Sequence, residues 1–204
     1  MAALALVILC LTFALGFGAR VLVQVRRTGS TGVRVFAAAA GPLERAILGV
    51  LALAGLLGAL AAVLQLGGEL KPISVLDVDT LRALGVVLGL AGPGLIFAAQ
   101  LAMGDSWRIG VDPEEHTSLL TGGIFGLVRN PVYSMIALTY LGLVLMLGSA
   151  LVIVGFLVLV TGLQLQVRAV EEPYLLGNHG EEYATYASRV GRFLPGIGRL
   201  RRRR

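Results

Sequence analysis

Charge is scarce in this sequence. Asp, Glu, Lys and Arg make up 14% of its 204 residues against 56% hydrophobic ones, with a mean hydropathy of +0.85. That balance lies far outside the range of a water-soluble domain and marks an integral membrane protein. Cysteine is scarcer still. The single one, Cys10 in LVILCLTFAL, has no partner in the chain, which excludes an intramolecular disulfide and a cysteine-held metal cluster. It reads as a small apolar residue facing lipid. There is also no internal repeat and no linker long enough to divide the chain, so residues 1–204 are read as one membrane domain.

What the chain does have is long apolar runs. A spanning helix needs about 20 mostly apolar residues, and Ala2 to Val25, Ala46 to Leu66 and Leu84 to Met103 meet that directly. Val132 to Leu147 and Leu151 to Val167 are shorter and are separated only by GSA, which predicts a tight helical hairpin. The expected fold is all-α, with about five transmembrane helices, the last two coupled, and a C-terminal amphipathic helix over GEEYATYASRVGRFLP. The first run has no basic segment before it and no small-residue cleavage site, so it is kept as a permanent helix.

Basic residues set the orientation. Arg26, Arg27, Arg34 and Arg45 fill the first loop, while the second, GGELKPISVLDVDT, is mostly acidic. This predicts a cytoplasmic first loop, an outside N-terminus and a cytoplasmic C-terminus, as in a bacterial-type inner membrane. The terminal RLRRRR suits an anionic inner leaflet.

The two halves differ. Residues 1–103 are mostly Leu, Ala, Val and Gly and read as scaffold, whereas polar residues gather in 104–204. Pro93, in GPG, is expected to kink the third helix. Trp107 reads as an anchor at the membrane interface, and His179 as structural.

Two stretches stand out, FGLVRNPVYSMIAL and QVRAVEEPYLL. Charges near membrane depth are costly and are usually paired or functional. Antiparallel arms of nearly equal length return Arg129, at the start of one, to the neighbourhood of Glu171, at the end of the other. Pro131 suits the first helical position, and the helix N-terminus beside Arg129 suits a carboxylate or phosphate. Asn130 adds a hydrogen bond without charge. The acidic pair Glu171 and Glu172 suits an ammonium group, with one of the two facing the cleft. A direct ion pair between Arg129 and Glu171, holding the hairpin shut, is the alternative that spacing leaves open.

The stretches TSLLTGGIFGLVRNPVYS, RAVEEPYLL and GEEYATYASRVGRFLP, in this order and spacing, resemble the isoprenylcysteine carboxyl methyltransferase family and, more distantly, the phospholipid N-methyltransferases. The resemblance runs from about Gly104 to Pro195. It implies an integral-membrane methyltransferase using S-adenosylmethionine in a cleft of the C-terminal helices, a fold without the glycine-rich strand-to-helix turn of soluble methyltransferases. By position, the resemblance implies that Arg129, Asn130, Pro131 and Tyr133 bind the cofactor. It also implies that Leu119, Leu120, Thr121, Gly123 and Ile124 line its adenosine, and that Glu171 and Glu172 form the acidic pair near its amine or ribose. Asn130 stands where eukaryotic members have histidine, and His116 is offset by one from another family histidine.

A sulfonium methyl is already electrophilic, so the site must align a nucleophile and exclude water. No metal is needed. Arg168, one turn before Glu171, is the candidate for touching or steering the acceptor, with a structural ion pair as the alternative, and Glu171 joins it as a candidate catalytic residue. The acceptor is expected to be lipophilic and to arrive from among the membrane lipids; no nucleic-acid partner is expected. The competing readings are an NADPH-dependent membrane reductase and a non-catalytic lipid-binding or transport protein.

Overall fold

The computed structural model describes residues 1–33, 41–107 and 118–200, and over them the chain is helical, with two isolated bridges and no named strand. Arg34, His116 and the last four arginines lie outside the described residues. Helix α1 (Ala2–Phe13) passes through a π-helical turn (Ala14–Ala19) into α2 (Arg20–Thr28). Then come α3 (Pro42–Leu66) and α4 (Asp79–Ala102). After them, α5 (Pro131–Leu147) turns into α6 (Ala150–Leu165), and a second π turn (Gln166–Glu171) leads to α7 (Glu172–Arg189). Among the described residues, four rods are long and apolar enough to cross a bilayer: Ala2–Thr28, Pro42–Leu66, Asp79–Ala102 and Ala150–Arg189. The fifth, Pro131–Leu147, is shorter, as its apolar run predicts.

Small residues let these rods approach. A Cβ added at Gly85 of α4 would lie 2.7 Å from the Gly142 carbonyl of α5, and one at Gly142 would lie 2.7 Å from the Gly89 nitrogen. Backbone therefore meets backbone along this pair, the arrangement by which helices associate when lipid removes the hydrophobic drive between them. Between α3 and α6 the phenol of Tyr140 fills the gap over Gly58 and Gly155 and donates to the Ala54 carbonyl at 2.7 Å. Helix α4 runs unbroken through Pro93, and neighbouring Gly92 packs on Thr139 of α5, so GPG serves close packing within a continuous helix.

The hairpin turns at Gly148, whose φ of 58° is a left-handed conformation open to glycine. Its N–H donates to Val144 at 2.8 Å and its carbonyl accepts from Ile73 at 2.8 Å, so the loop before α4 is pinned to the hairpin tip. Ile8, Leu143, Met146, Leu147 and Val152 fill the core there, while Phe13, Leu56, Val87 and Leu157 point outward and are exposed, as lipid-facing positions require. Cys10 is likewise exposed.

Candidate functional site

At the other end of the hairpin the apolar core gives way to charge. Pro131 opens α5, so the N–H groups of Val132 and Tyr133 have no acceptor within the helix, and the first intrahelical bond runs from Ser134 to Asn130 at 3.0 Å. The chain just before Pro131 is fixed by the segment that follows α7. Arg129 N–H donates to Gly191 at 2.8 Å, Asn130 N–H to Arg192 at 3.1 Å, and the Ser134 hydroxyl to Phe193 at 2.7 Å. This C-terminal strap therefore holds the start of α5.

Arg129 is buried, 6% exposed. Its Nη2 donates to Glu172 Oε1 at 2.9 Å and to the Gly198 carbonyl at 2.8 Å. Glu172 is gripped a second time by Arg192, from Nε at 2.8 Å and from Nη2 at 3.1 Å. The arms do bring Arg129 to the acidic pair, and the ion pair forms with Glu172. Glu171 instead accepts from the Tyr133 hydroxyl at 2.5 Å and from Gln166 Nε2 at 3.4 Å.

Adjacent helical residues point about 100° apart, which separates the two carboxylates, and the π turn sets the partner of Glu171. In an α-helix residues five apart stand about 140° round the axis, whereas the wider π turn stacks them, and Gln166 and Glu171 meet on one face. Arg168, expected to share that face with Glu171, is exposed and lies outside the cavity. Its placement there follows from the same change of helical pitch.

A cavity of about 380 Å³ opens between these elements, within the size range of small-molecule sites. Of the expected site residues, Leu119, Leu120, Arg129, Asn130, Pro131, Tyr133 and Glu171 line it. Thr121, Gly123, Ile124 and Glu172 do not; Thr121 and Gly123 are exposed, Ile124 is half-buried, and Glu172 is enclosed between its two arginines. Helix α7 adds Tyr174, Tyr183 and Tyr186. It is kinked at Gly180, with Tyr183 buried under Arg129, whose guanidinium carbon lies 6.0 Å from the ring centre, and Tyr186 donating to the Phe125 carbonyl at 2.6 Å.

The first half of the chain reaches the cavity too, through Gly16, Glu44 and Gln100 among others, so it is more than scaffold. Trp107 is not an interfacial anchor. It is 3% exposed, forms part of the cavity wall, and is covered by the guanidinium of fully buried Arg20 at 4.5 Å from the ring centre. Arg20 also donates to the Gly104 carbonyl at 2.7 Å, and Gln24 to the Asp105 carbonyl at 2.9 Å, which fastens α2 to the end of α4. The sequence signals were a lone arginine inside an apolar run (Arg20), an acid two residues after a helix-starting proline (Glu44), and an arginine within the GRFLP turn (Arg192).

Long apolar rods around a cavity with a guanidinium and a carboxylate in its wall define an integral membrane protein with an internal small-molecule site. A sequence profile of the phospholipid methyltransferase family matches residues 80–182, about half of the chain, and the chain belongs to that family. It is 30% identical over 113 residues to protein-S-isoprenylcysteine O-methyltransferase B of Arabidopsis thaliana, a match covering 54% of this chain and 57% of the plant protein. The chain thus aligns with little more than half of that relative's length. Its fold is similar to that of a eukaryotic intramembrane Ras methyltransferase, isoprenylcysteine carboxyl methyltransferase. That match has a TM-score of 0.59 and 18% identity, covering 89% of this chain and 62% of that one.

Proposed function

We propose that the chain is an integral-membrane methyltransferase that takes its methyl group from S-adenosylmethionine and delivers it to a lipophilic acceptor at the cytoplasmic face. The observation that carries this reading is Arg129. Its Nε and Nη1 are buried and have no hydrogen-bond partner among the described residues, and the residue lines the cavity. Among the described residues, two guanidiniums share one carboxylate in the cluster of Arg129, Arg192 and Glu172, so these three side chains carry one net positive charge. Buried uncompensated charge is strongly unfavourable. A ligand carboxylate at Arg129, next to the N–H groups that open α5, supplies the missing anion and acceptors.

Glu171 lines the same cavity and is held by Tyr133 and Gln166. It suits the ammonium of the same ligand, so an amino acid head fits between two charged walls. Leu119, Leu120 and the tyrosines of α7 offer apolar and aromatic surface for the rest of the nucleoside. When bound, S-adenosylmethionine supplies an electrophilic methyl, and the protein's part is to orient the acceptor and exclude water. The family relationship supports methyl transfer, and the named relatives act as methyltransferases.

Thermal unfolding of the detergent-solubilised protein tests the reading. S-adenosylmethionine or S-adenosylhomocysteine raises the melting temperature of the wild type, and Glu171→Gln and Arg129→Ala abolish the rise. Stabilisation by NADPH with no response to either sulfur compound would overturn it in favour of a reductase.

A further inference from the structure

The strap that grips the start of α5 contains a tight turn, residues 194–197, that faces away from the protein. Leu194 and Ile197 are 58% and 64% exposed, and Pro195 and Gly196 between them are exposed as well. The turn is nevertheless fixed. Ile197 N–H donates to the Leu194 carbonyl at 3.1 Å and Arg192 N–H to the Ile197 carbonyl at 2.7 Å, while Gly196 and Gly198 take left-handed φ values of 77° and 76° that close it. Leu200 N–H ties the far end to the Ala187 carbonyl of α7 at 2.9 Å. Cations flank the apolar tip. Arg189 and Arg199 are exposed, Arg199 Nη2 would lie 3.4 Å from a Cβ added at Gly196, and the sequence continues with four arginines, 201–204. The length of α5 sets the depth of this turn. Its 17 residues span about 25 Å against a hydrocarbon core of about 30 Å. Its far end is the hairpin turn at Gly148, pinned to the polar loop before α4, so its start lies near the opposite boundary of the hydrocarbon. The strap is bonded to that start, which puts its turn at headgroup level.

We infer that the turn of residues 194–197 docks into an anionic lipid surface, and that this docking holds the strap on the cluster of Arg129 and Glu172. At that depth the leucine and isoleucine side chains leave water for the acyl boundary, and arginines beside them meet lipid phosphates, the combination by which interfacial segments select anionic bilayers. Residues 190–204 hold six arginines and no Asp or Glu, so nothing in the segment repels that surface. The coupling to the site follows from what the same residues hold. Arg192 grips Glu172, the Gly198 carbonyl accepts from Arg129, and the Gly191 and Arg192 carbonyls accept from the start of α5. Arg192 and Gly198 flank the turn, so seating its tip restricts both. A surface that binds the closed strap better than a released one shifts the balance toward closure. The consequence for ligand rests on the methyl-donor reading of the cavity: with Arg129 held in place, the donor binds more tightly on anionic than on neutral bilayers.

The full-length protein in nanodiscs of phosphatidylcholine, with and without phosphatidylglycerol, tests this. Amide hydrogen exchange over residues 190–200 is expected to slow by about tenfold in the anionic discs, a usual size for coupling between sites, and high salt reverses part of the effect by screening. A bimane label at Ile197→Cys, in a Cys10→Ala background, is quenched in the anionic discs by lipids carrying a nitroxide near the headgroup. Leu194→Asp combined with Ile197→Asp removes the dependence on phosphatidylglycerol, and an unchanged melting temperature in detergent shows that this variant folds. S-adenosylhomocysteine binds the wild type about tenfold more tightly in the anionic discs. Equal exchange in the two kinds of disc, or a label left unquenched in the anionic ones, would overturn the docking. Slowed exchange with equal affinity for S-adenosylhomocysteine would overturn the coupling to the site. If S-adenosylhomocysteine binds in neither disc, the donor reading fails instead, while exchange and quenching still decide the docking.

Discussion

Glu171 and Glu172 are neighbours in sequence with opposite duties. Glu172 is held between two buried guanidiniums, whereas Glu171 faces the cavity. Removing one partner of a buried charge cluster costs roughly 3–5 kcal/mol. Glu172→Gln is therefore expected to lower stability steeply with or without ligand, measured by SDS or thermal unfolding. Glu171→Gln is expected to leave the ligand-free protein close to the wild type and to lose the ligand-induced shift. Trp107 allows a second test at this scale. It is the single tryptophan of the chain and lines the cavity, so titration with S-adenosylhomocysteine should change its emission in a saturable way. Trp107→Phe removes the signal and keeps the thermal shift. An interfacial tryptophan would respond to headgroup-level quenchers and not to the ligand.

At the scale of elements, the site depends on two departures from regular helix and on one close-packed pair. The π turn at Gln166–Glu171 aims Gln166 and Glu171 together, and the one at Ala14–Ala19 carries the Gly16 carbonyl that orients Gln100. The pair is α4 with α5, where Gly142 lies against the backbone of Gly85 and Gly89. Overpacking such a contact costs about 1–3 kcal/mol. Gly142→Ala is expected to destabilise by that amount, read as a lowered melting temperature, and to shift the start of α5 enough to weaken ligand binding. The hairpin of α5 and α6 was legible in advance. The apolar runs, the GSA turn and Pro131 at the first helical position fixed the hairpin, because length and helix-start chemistry are local properties. The π turns were not legible, since nothing in QVRAVE distinguishes an i+5 from an i+4 pattern until both neighbours are in place.

For the whole molecule, Arg129 and Glu171 reach the cavity from the C-terminal half and Glu44 and Gln100 from the N-terminal half, so the cavity is a product of the assembled bundle. The strap after α7 completes it by gripping the start of α5. The loop charges predict an outside N-terminus and a cytoplasmic C-terminus. A C-terminal reporter that fluoresces only in the cytoplasm should therefore be bright in bacterial cells, and an N-terminal one dark. The reverse pattern would put the cavity on the wrong side for a cytosolic cofactor.

The amino-acid sequence by itself determined the membrane class, the helical rods, the coupled final hairpin and the convergence of Arg129 with an acidic pair. These follow from hydropathy, from helix-start chemistry and from arms of matched length, all of which are readable along the chain. Only the tertiary structure decided which carboxylate pairs with Arg129, that Arg168 turns outward, that Trp107 is a buried wall and that Glu44 and Gln100 join the site. Those outcomes depend on helical pitch and on which rods lie side by side. Both are set by backbone contact between glycines and by the neutralisation of buried charge across distant segments, quantities that no local stretch contains.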